Sequence, residues 1–144
     1  MHKQQGFTLI EIIVVILILG ILAATALPKF INVSSDDRTA SVNGLVGGLK
    51  TAVALAQAKY AAAGSTSTTT VTLQDGSTSS VNANTGIPDG TSAGIGAMMQ
   101  DLSDYTVDYT TATAVTFRPT GGSSTCQATY NGTTGVVGNT TSGC

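Results

Sequence analysis

The chain has 144 residues, enough for one globular domain and one further element but too few for two full domains. Apolar residues make up 42% of it, unevenly: large aliphatic side chains crowd the first third, and Thr, Ser, Gly and Asn dominate from Gly64 onward. The net charge of −2 hides a split, because after Gly64 five aspartates face the single Arg118, and so acidic a surface argues against direct nucleic-acid binding.

Residues 1–6 read MHKQQG, a short basic start, and residues 7–28 read FTLIEIIVVILILGILAATALP, with no charge between Ile12 and Leu27. As a helix, Phe7 to Pro28 spans about 33 Å, the thickness of a bilayer core. Lys3 places the start on the cytoplasmic side and the rest of the chain outside. A secretory signal peptide is the alternative, and Ala23-Ala24-Thr25-Ala26 imitates its cleavage site. Against it stand the length of the apolar run and the carboxylate of Glu11 near its start.

A carboxylate in such a run needs a partner. Cleavage after Gly6 would turn the Phe7 nitrogen into a cationic amine one helical turn from Glu11. Glu11 then pairs with its own amine or, in a staggered assembly, with a neighbour's. A matched pair in low dielectric costs far less than a lone charge, so Glu11 is expected to set the register of a growing polymer.

The string Gly6-Phe7-Thr8-Leu9-Ile10-Glu11, followed by the apolar run, resembles the class III signal of type IV pilins and pseudopilins. The resemblance implies a membrane prepilin peptidase that cuts after Gly6 and N-methylates Phe7, with Glu11 in the assembly role. His2, the only histidine, would leave with the leader. Gly20 and Pro28 both weaken a helix. The resemblance implies that the stretch between them loses helical order in the fibre.

Beyond Pro28, Val42, Leu45, Val46, Leu49, Val53 and Ala56 recur at helical spacing, predicting a helix to about Ala63 with Gly64 as its C-cap. Ser34-Ser35-Asp36-Asp37 marks a weak point in it. Gly44, Gly47 and Gly48 are expected where a sheet packs closely on the helix. Asp75-Gly76 predicts a tight turn in a hairpin from Val71 to about Val81. Residues 86–90 read as a loop and Ser92–Leu102 as a short helix. Strands are predicted over Thr106–Tyr109, Ala114–Phe117, Thr125–Tyr130 and Gly135–Val137. The expected fold is α+β, a long N-terminal helix packed on an antiparallel sheet. The expected divisions are a leader at 1–6, a transmembrane and fibre-core helix at 7–33, and a head at 34–144.

Asp36-Asp37-Arg38, the Gly86-Ile87-Pro88 loop followed by Ser92-Ala93-Gly94-Ile95, and Phe117-Arg118-Pro119 leading to Cys126-Gln127-Ala128-Thr129-Tyr130 are similar to the mannose-sensitive haemagglutinin (MSHA) pilins. Ile87 stands where those pilins often carry an aromatic.

Cys126 and Cys144 are too few ligands for a metal site and lack C-x-x-C spacing, so a structural disulfide is expected in an oxidising compartment. Two free thiols or a cross-link between subunits is the alternative. Asp101, Asp104 and Asp108 lack EF-hand spacing and read as a solvated face rather than a calcium site. Asn32, Asn131 and Asn139 lie in N-x-Ser/Thr strings, weak glycosylation signals in a Thr-rich chain. Phe7, Phe30, Tyr60, Tyr105, Tyr109, Phe117 and Tyr130 read as core residues.

The resemblance implies a non-enzymatic, cofactor-free subunit of a surface fibre for adhesion, biofilm attachment or motility. The alternative is a type II secretion pseudopilin forming a short periplasmic piston. The implied partners are copies of the chain, the prepilin peptidase, an assembly ATPase with its inner-membrane platform, an outer-membrane secretin, and a surface or glycan ligand. The implied course runs from a single-pass inner-membrane precursor to an extracellular fibre.

Overall fold

The computed structural model describes residues 7–64 and 67–144, and within the helix it leaves the side chains of 21–33 outside the described residues. The chain divides into two compact units, Met1–Asp36 and Asp37–Cys144. One helix, α1, has the bounds Leu9–Ala62.

In the second unit α1 is amphipathic. Val42, Leu45, Leu49, Ala52, Val53, Ala56 and Tyr60 recur every three or four residues and are all buried. The helix stops because Gly64 adopts a φ of +64°, a conformation that strains any residue with a Cβ. Its N–H bonds the Ala61 carbonyl at 3.1 Å, and the Ala63 N–H bonds that of Lys59 at 3.1 Å.

The strands β1 (Thr70–Thr72) and β2 (Thr78–Ser80) form an antiparallel hairpin in which Val71 opposes Ser79. Asp75 organises the turn. Its Oδ1 accepts from the N–H and the hydroxyl of Ser77, at 2.9 and 2.6 Å. Those bonds hold the Asp75 carboxyl below its usual range.

Four further strands make an antiparallel sheet in the order β3-β4-β5-β6: β3 Tyr105–Asp108, β4 Val115–Pro119, β5 Gln127–Tyr130 and β6 Val137–Thr140. Period-2 alternation sends Val115, Phe117, Ala128 and Tyr130 inward, where they join Val42, Leu45, Leu49, Ala52 and Val53 of α1 in the main core. Burying a side chain of the size of Phe117 stabilises the fold by roughly 1.5–3 kcal/mol. Ala56, Tyr60, Val71 and Val81 form a second cluster beneath the hairpin. Helix and antiparallel sheets together make the α+β architecture that the resemblance implied.

Four expectations need correction. The helix over Ser92–Leu102 is only a 3-10 turn at Gly96–Met98. The carbonyls a helix would use are taken by β2: Ser80 N–H bonds Ala93 O at 2.9 Å, and the buried Ser79 hydroxyl bonds Gly94 O at 2.9 Å. The last strand begins at Val137, not Gly135, because Asn131 to Val136 form a turn in which Asn131 N–H bonds Val136 O at 2.9 Å and Gly135 N–H returns to Asn131 O at 2.8 Å. Gly44 and Gly47 do not serve a sheet contact, since a Cβ at either would meet nothing within 4 Å. At Gly48 a Cβ would sit 3.4 Å from Met99 Cε, which belongs to a loop. Phe7 is not a core residue but is 82% exposed. Phe30 lies outside the described side chains. Tyr60, Phe117 and Tyr130 are buried, and Tyr105 and Tyr109 pack at the edge of the core.

A close backbone crossing joins the loops above the sheet. A Cβ at Gly132 would come within 2.1 Å of Gly90 N, and one at Gly90 within 2.0 Å of Ala112 O. Around this crossing Gly132 N–H bonds Ala112 O at 2.9 Å, Asn82 Nδ2 bonds Gly132 O at 2.5 Å and the Tyr130 hydroxyl bonds Pro88 O at 2.6 Å.

Candidate assembly site

Every large apolar side chain of Phe7–Leu19 is exposed, from 45% at Val14 to 82% at Phe7. These residues ring the helix rather than forming one stripe, so no single face could be satisfied by folding back on the chain. A helix that is apolar all round belongs inside lipid or inside a bundle of helices. Among the described residues no helix is long and apolar enough to cross a membrane. The run that the sequence marks for that role continues through residues 21–33, whose side chains lie outside the description.

Within this apolar sleeve sits Glu11. Thr8 lies just ahead of Leu9 and accepts the first helical bond, from Glu11 N–H to Thr8 O at 3.1 Å. In return Glu11 Oε2 accepts from Thr8 N–H at 3.2 Å and from the Thr8 hydroxyl at 3.0 Å. This is one half of a capping box, and it satisfies a backbone donor that the helix leaves unpaired. The sequence reading weighed Glu11 only against the Phe7 amine and missed Thr8. The T-x-x-E string ahead of an apolar run was the available signal.

Gly6 lies outside the described residues, and so does the side chain of Pro28. At Gly20 a Cβ would meet nothing within 4 Å, so no packing contact in the described chain requires a glycine there.

At the other end of the chain Cys126 and Cys144 are bonded, with S–S 2.07 Å and Cα–Cα 4.7 Å. Arg38 Nη1 of α1 donates to Cys144 O at 3.3 Å, and Ser123 Oγ donates to Gly143 O at 2.9 Å, so the C-terminal end of the disulfide loop is tied to the helix and to the connection between β4 and β5. The Asp101–Asp108 region shows two self-capped turns. Asp101 Oδ1 accepts from Ser103 N–H at 2.8 Å and Asp108 Oδ1 from Thr110 N–H at 2.9 Å, and both carboxyls are lowered mainly by those bonds. Among the described residues no three His, Cys, Asp or Glu side chains gather as metal ligands. Asn131 Oδ1 caps its own turn through Thr133 and Thr134, and Asn139 Nδ2 donates to Asn43 Oδ1 at 2.7 Å. Asn32 lies outside the described side chains.

The prokaryotic N-terminal methylation motif matches residues 1–27. The chain is 51% identical over 53 residues to the type IV major alpha-pilin of Moraxella bovis, covering 37% of this chain and 33% of that one. It is 42% identical over 50 residues to the type IV major fimbrial protein FimA of Dichelobacter nodosus, covering 35% and 32%. It therefore spans about a third of the length of these relatives. No solved structure matches the chain. The type IV narrow pilus major component PilA5 of Thermus thermophilus is 38% identical over 88 residues, covering 53% of this chain and 76% of that one. With that coverage, and with the methylation motif at its start, the chain belongs to the type IV pilins.

Proposed function

We propose that the chain is a structural subunit of a type IV pilus, polymerising through its N-terminal helix into a surface fibre. The observation that carries this reading is the exposed apolar sleeve of Phe7–Leu19 with one carboxylate, Glu11, a turn from its start. Lipid can cover such a sleeve before assembly and neighbouring copies can cover it afterwards. The hydrophobic change between those two states is small, so packing and the charge on Glu11 decide where a subunit joins. Relatives named as major pilins favour a fibre over a short secretion piston.

On this reading Gly6 and Phe7 flank the cleavage made by a prepilin peptidase, and Phe7 carries the methyl group. The precursor is held in the inner membrane with its start in the cytoplasm, and the second unit folds outside around the Cys126–Cys144 bond. Gly20 and Pro28 bound a stretch of α1 able to give up helical order under load. An ATPase on an inner-membrane platform supplies the work, and a secretin lets the fibre out. The subunit's role is structural rather than catalytic. Asp36-Asp37-Arg38 and the Phe117-Arg118-Pro119 run support an MSHA-type subclass, but Ile87 in place of the aromatic those pilins often carry means that their glycan specificity is not carried over.

Electron microscopy of sheared surface material tests this. Cells making the wild-type chain should yield long fibres, and cells making Glu11→Ala should yield few or none. Normal fibres from Glu11→Ala would overturn the assembly role of Glu11, and fibres that persist when the chain is deleted would overturn the reading as a whole.

A further inference from the structure

Among the described residues of Asp37–Cys144, two large apolar side chains stand well exposed: Leu55 at 57% and Val136 at 64%. Leu55 lines a groove of about 570 Å³ with Leu73, Met98 and Met99, rimmed by Lys59 and Asp75. Val136 sits at the base of the turn before β6, where its carbonyl accepts from Asn131 N–H.

The two lie on opposite flanks of α1. Successive residues of a helix are about 100° apart, so Gly48, Leu55 and Lys59 share one stripe, while Asn43, Val53 and Gln57 lie about half a turn away. The first stripe faces the groove, since a Cβ at Gly48 would meet Met99 Cε at 3.4 Å. The second faces the Val136 side. Asn139 Nδ2 bonds Asn43 Oδ1 at 2.7 Å, and a Cβ at Gly135 would meet Val53 Cγ1 at 3.2 Å.

Charge does not oppose contact at the same two places. The unit Asp37–Cys144 carries six aspartates against Arg38, Lys50, Lys59 and Arg118, a net charge of −2, so copies of it repel one another weakly. The turn and strand from Asn131 to Thr140 carry no charged residue, and the groove carries one Lys and one Asp. These are surfaces on which two copies can approach without net repulsion. A polymer with one repeating contact needs two different, complementary patches on each subunit, because a self-complementary patch would close into a dimer.

We infer that in the fibre the Val136 turn of one copy seats in the Leu55–Leu73–Met98–Met99 groove of the next. This rests on the fibre reading above and names the contact between successive heads. Methionines suit such a seat, because their flexible side chains adapt to an incoming side chain.

The test is cross-linking of sheared fibres carrying Leu55→Cys and Val136→Cys together, using a short thiol-to-thiol reagent, followed by denaturing electrophoresis. The double variant should give a ladder of covalent multimers, and each single variant should stay monomeric. Fibres of the double variant that stay monomeric, or dimers from either single variant, would overturn the pairing while leaving the fibre reading intact. A charge exchange covers the case in which the double cysteine variant makes no fibres. Val136→Asp and Leu55→Lys should each lower fibre yield roughly tenfold, and the two together should restore it. Wild-type yields from the single variants, or no restoration in the double, would overturn the pairing. A wild-type chain that makes no fibres would overturn the fibre reading and the pairing with it.

Discussion

Thr8 and Glu11 close a ring at the start of α1: the backbone N–H and the hydroxyl of Thr8 both donate to Glu11 Oε2, at 3.2 and 3.0 Å. The carboxylate proposed to guide assembly is thus also the one that caps its own helix. The two tasks differ in what they require. Capping needs a hydrogen-bond acceptor, whereas pairing with a cationic amine needs the charge.

Glu11→Gln separates them. The amide keeps an acceptor for Thr8, so helix content in detergent should match wild type. The yield of sheared fibres should fall roughly tenfold or more, because an amine leaving water would meet no counter-charge. Thr8→Ala removes only the hydroxyl bond to Glu11 Oε2 and keeps the backbone N–H bond, so the first turn should loosen by no more than about 1 kcal/mol, read by amide hydrogen exchange, while fibres still form.

Cys126→Ser removes the bond that closes the last loop. With a separation of 18 residues, chain entropy alone predicts a loss of about 3 kcal/mol, read as a lower Tm of the detergent-solubilised chain. Arg38→Ala should cost less, about 1 kcal/mol, since it removes only the tie from α1 to Cys144 O.

Gly132→Ala is expected to be among the most damaging single changes in the second unit. A Cβ there would overlap Gly90 N at 2.1 Å and Gly90 Cα at 2.6 Å, and neither is the end of a flexible side chain. The backbones must separate and strain the bonds around Asn82 and Tyr130, so a loss of roughly 3 kcal/mol or more follows, measured by thermal unfolding.

Alkaline stability reports on Tyr130. Burial, with a smaller contribution from Asp89, pushes its phenol far above the ordinary value of 10. The folded chain therefore holds this proton where the unfolded chain releases it. Stability is fully present below pH 10 and falls as pH rises beyond it. Tyrosinate absorbance in a pH titration should show Tyr130 ionising only with unfolding. Tyr130→Phe should remove its share of the pH dependence and cost about 1–3 kcal/mol at neutral pH by stranding Pro88 O.

The sequence made long periodic features legible and left many local backbone choices hidden. The buried stripe from Val42 to Ala56, the stop at Gly64 and the Asp75-Gly76 turn follow from spacing and from residue chemistry. The helix expected over Ser92–Leu102 did not form because β2 claims its carbonyls, a tertiary bond invisible to local pattern. The start of β6 moved past Gly135 because the Asn131 side chain and backbone close a turn first. The apolar sleeve and Glu11 were plain in the string of residues, but Thr8 was overlooked although its capping pattern was present. The Leu55–Val136 relationship could not be read at all, since it depends on which flank of α1 each loop packs against.

The measurement that bears most directly on the central claim is mass spectrometry of the N-terminal peptide of the subunit recovered from sheared fibres. The account predicts a chain beginning at Phe7 and carrying one added methyl group on its amine, with residues 1–6 gone. A fibre subunit that still begins at Met1, or one cut after the apolar run near Ala26, would contradict it.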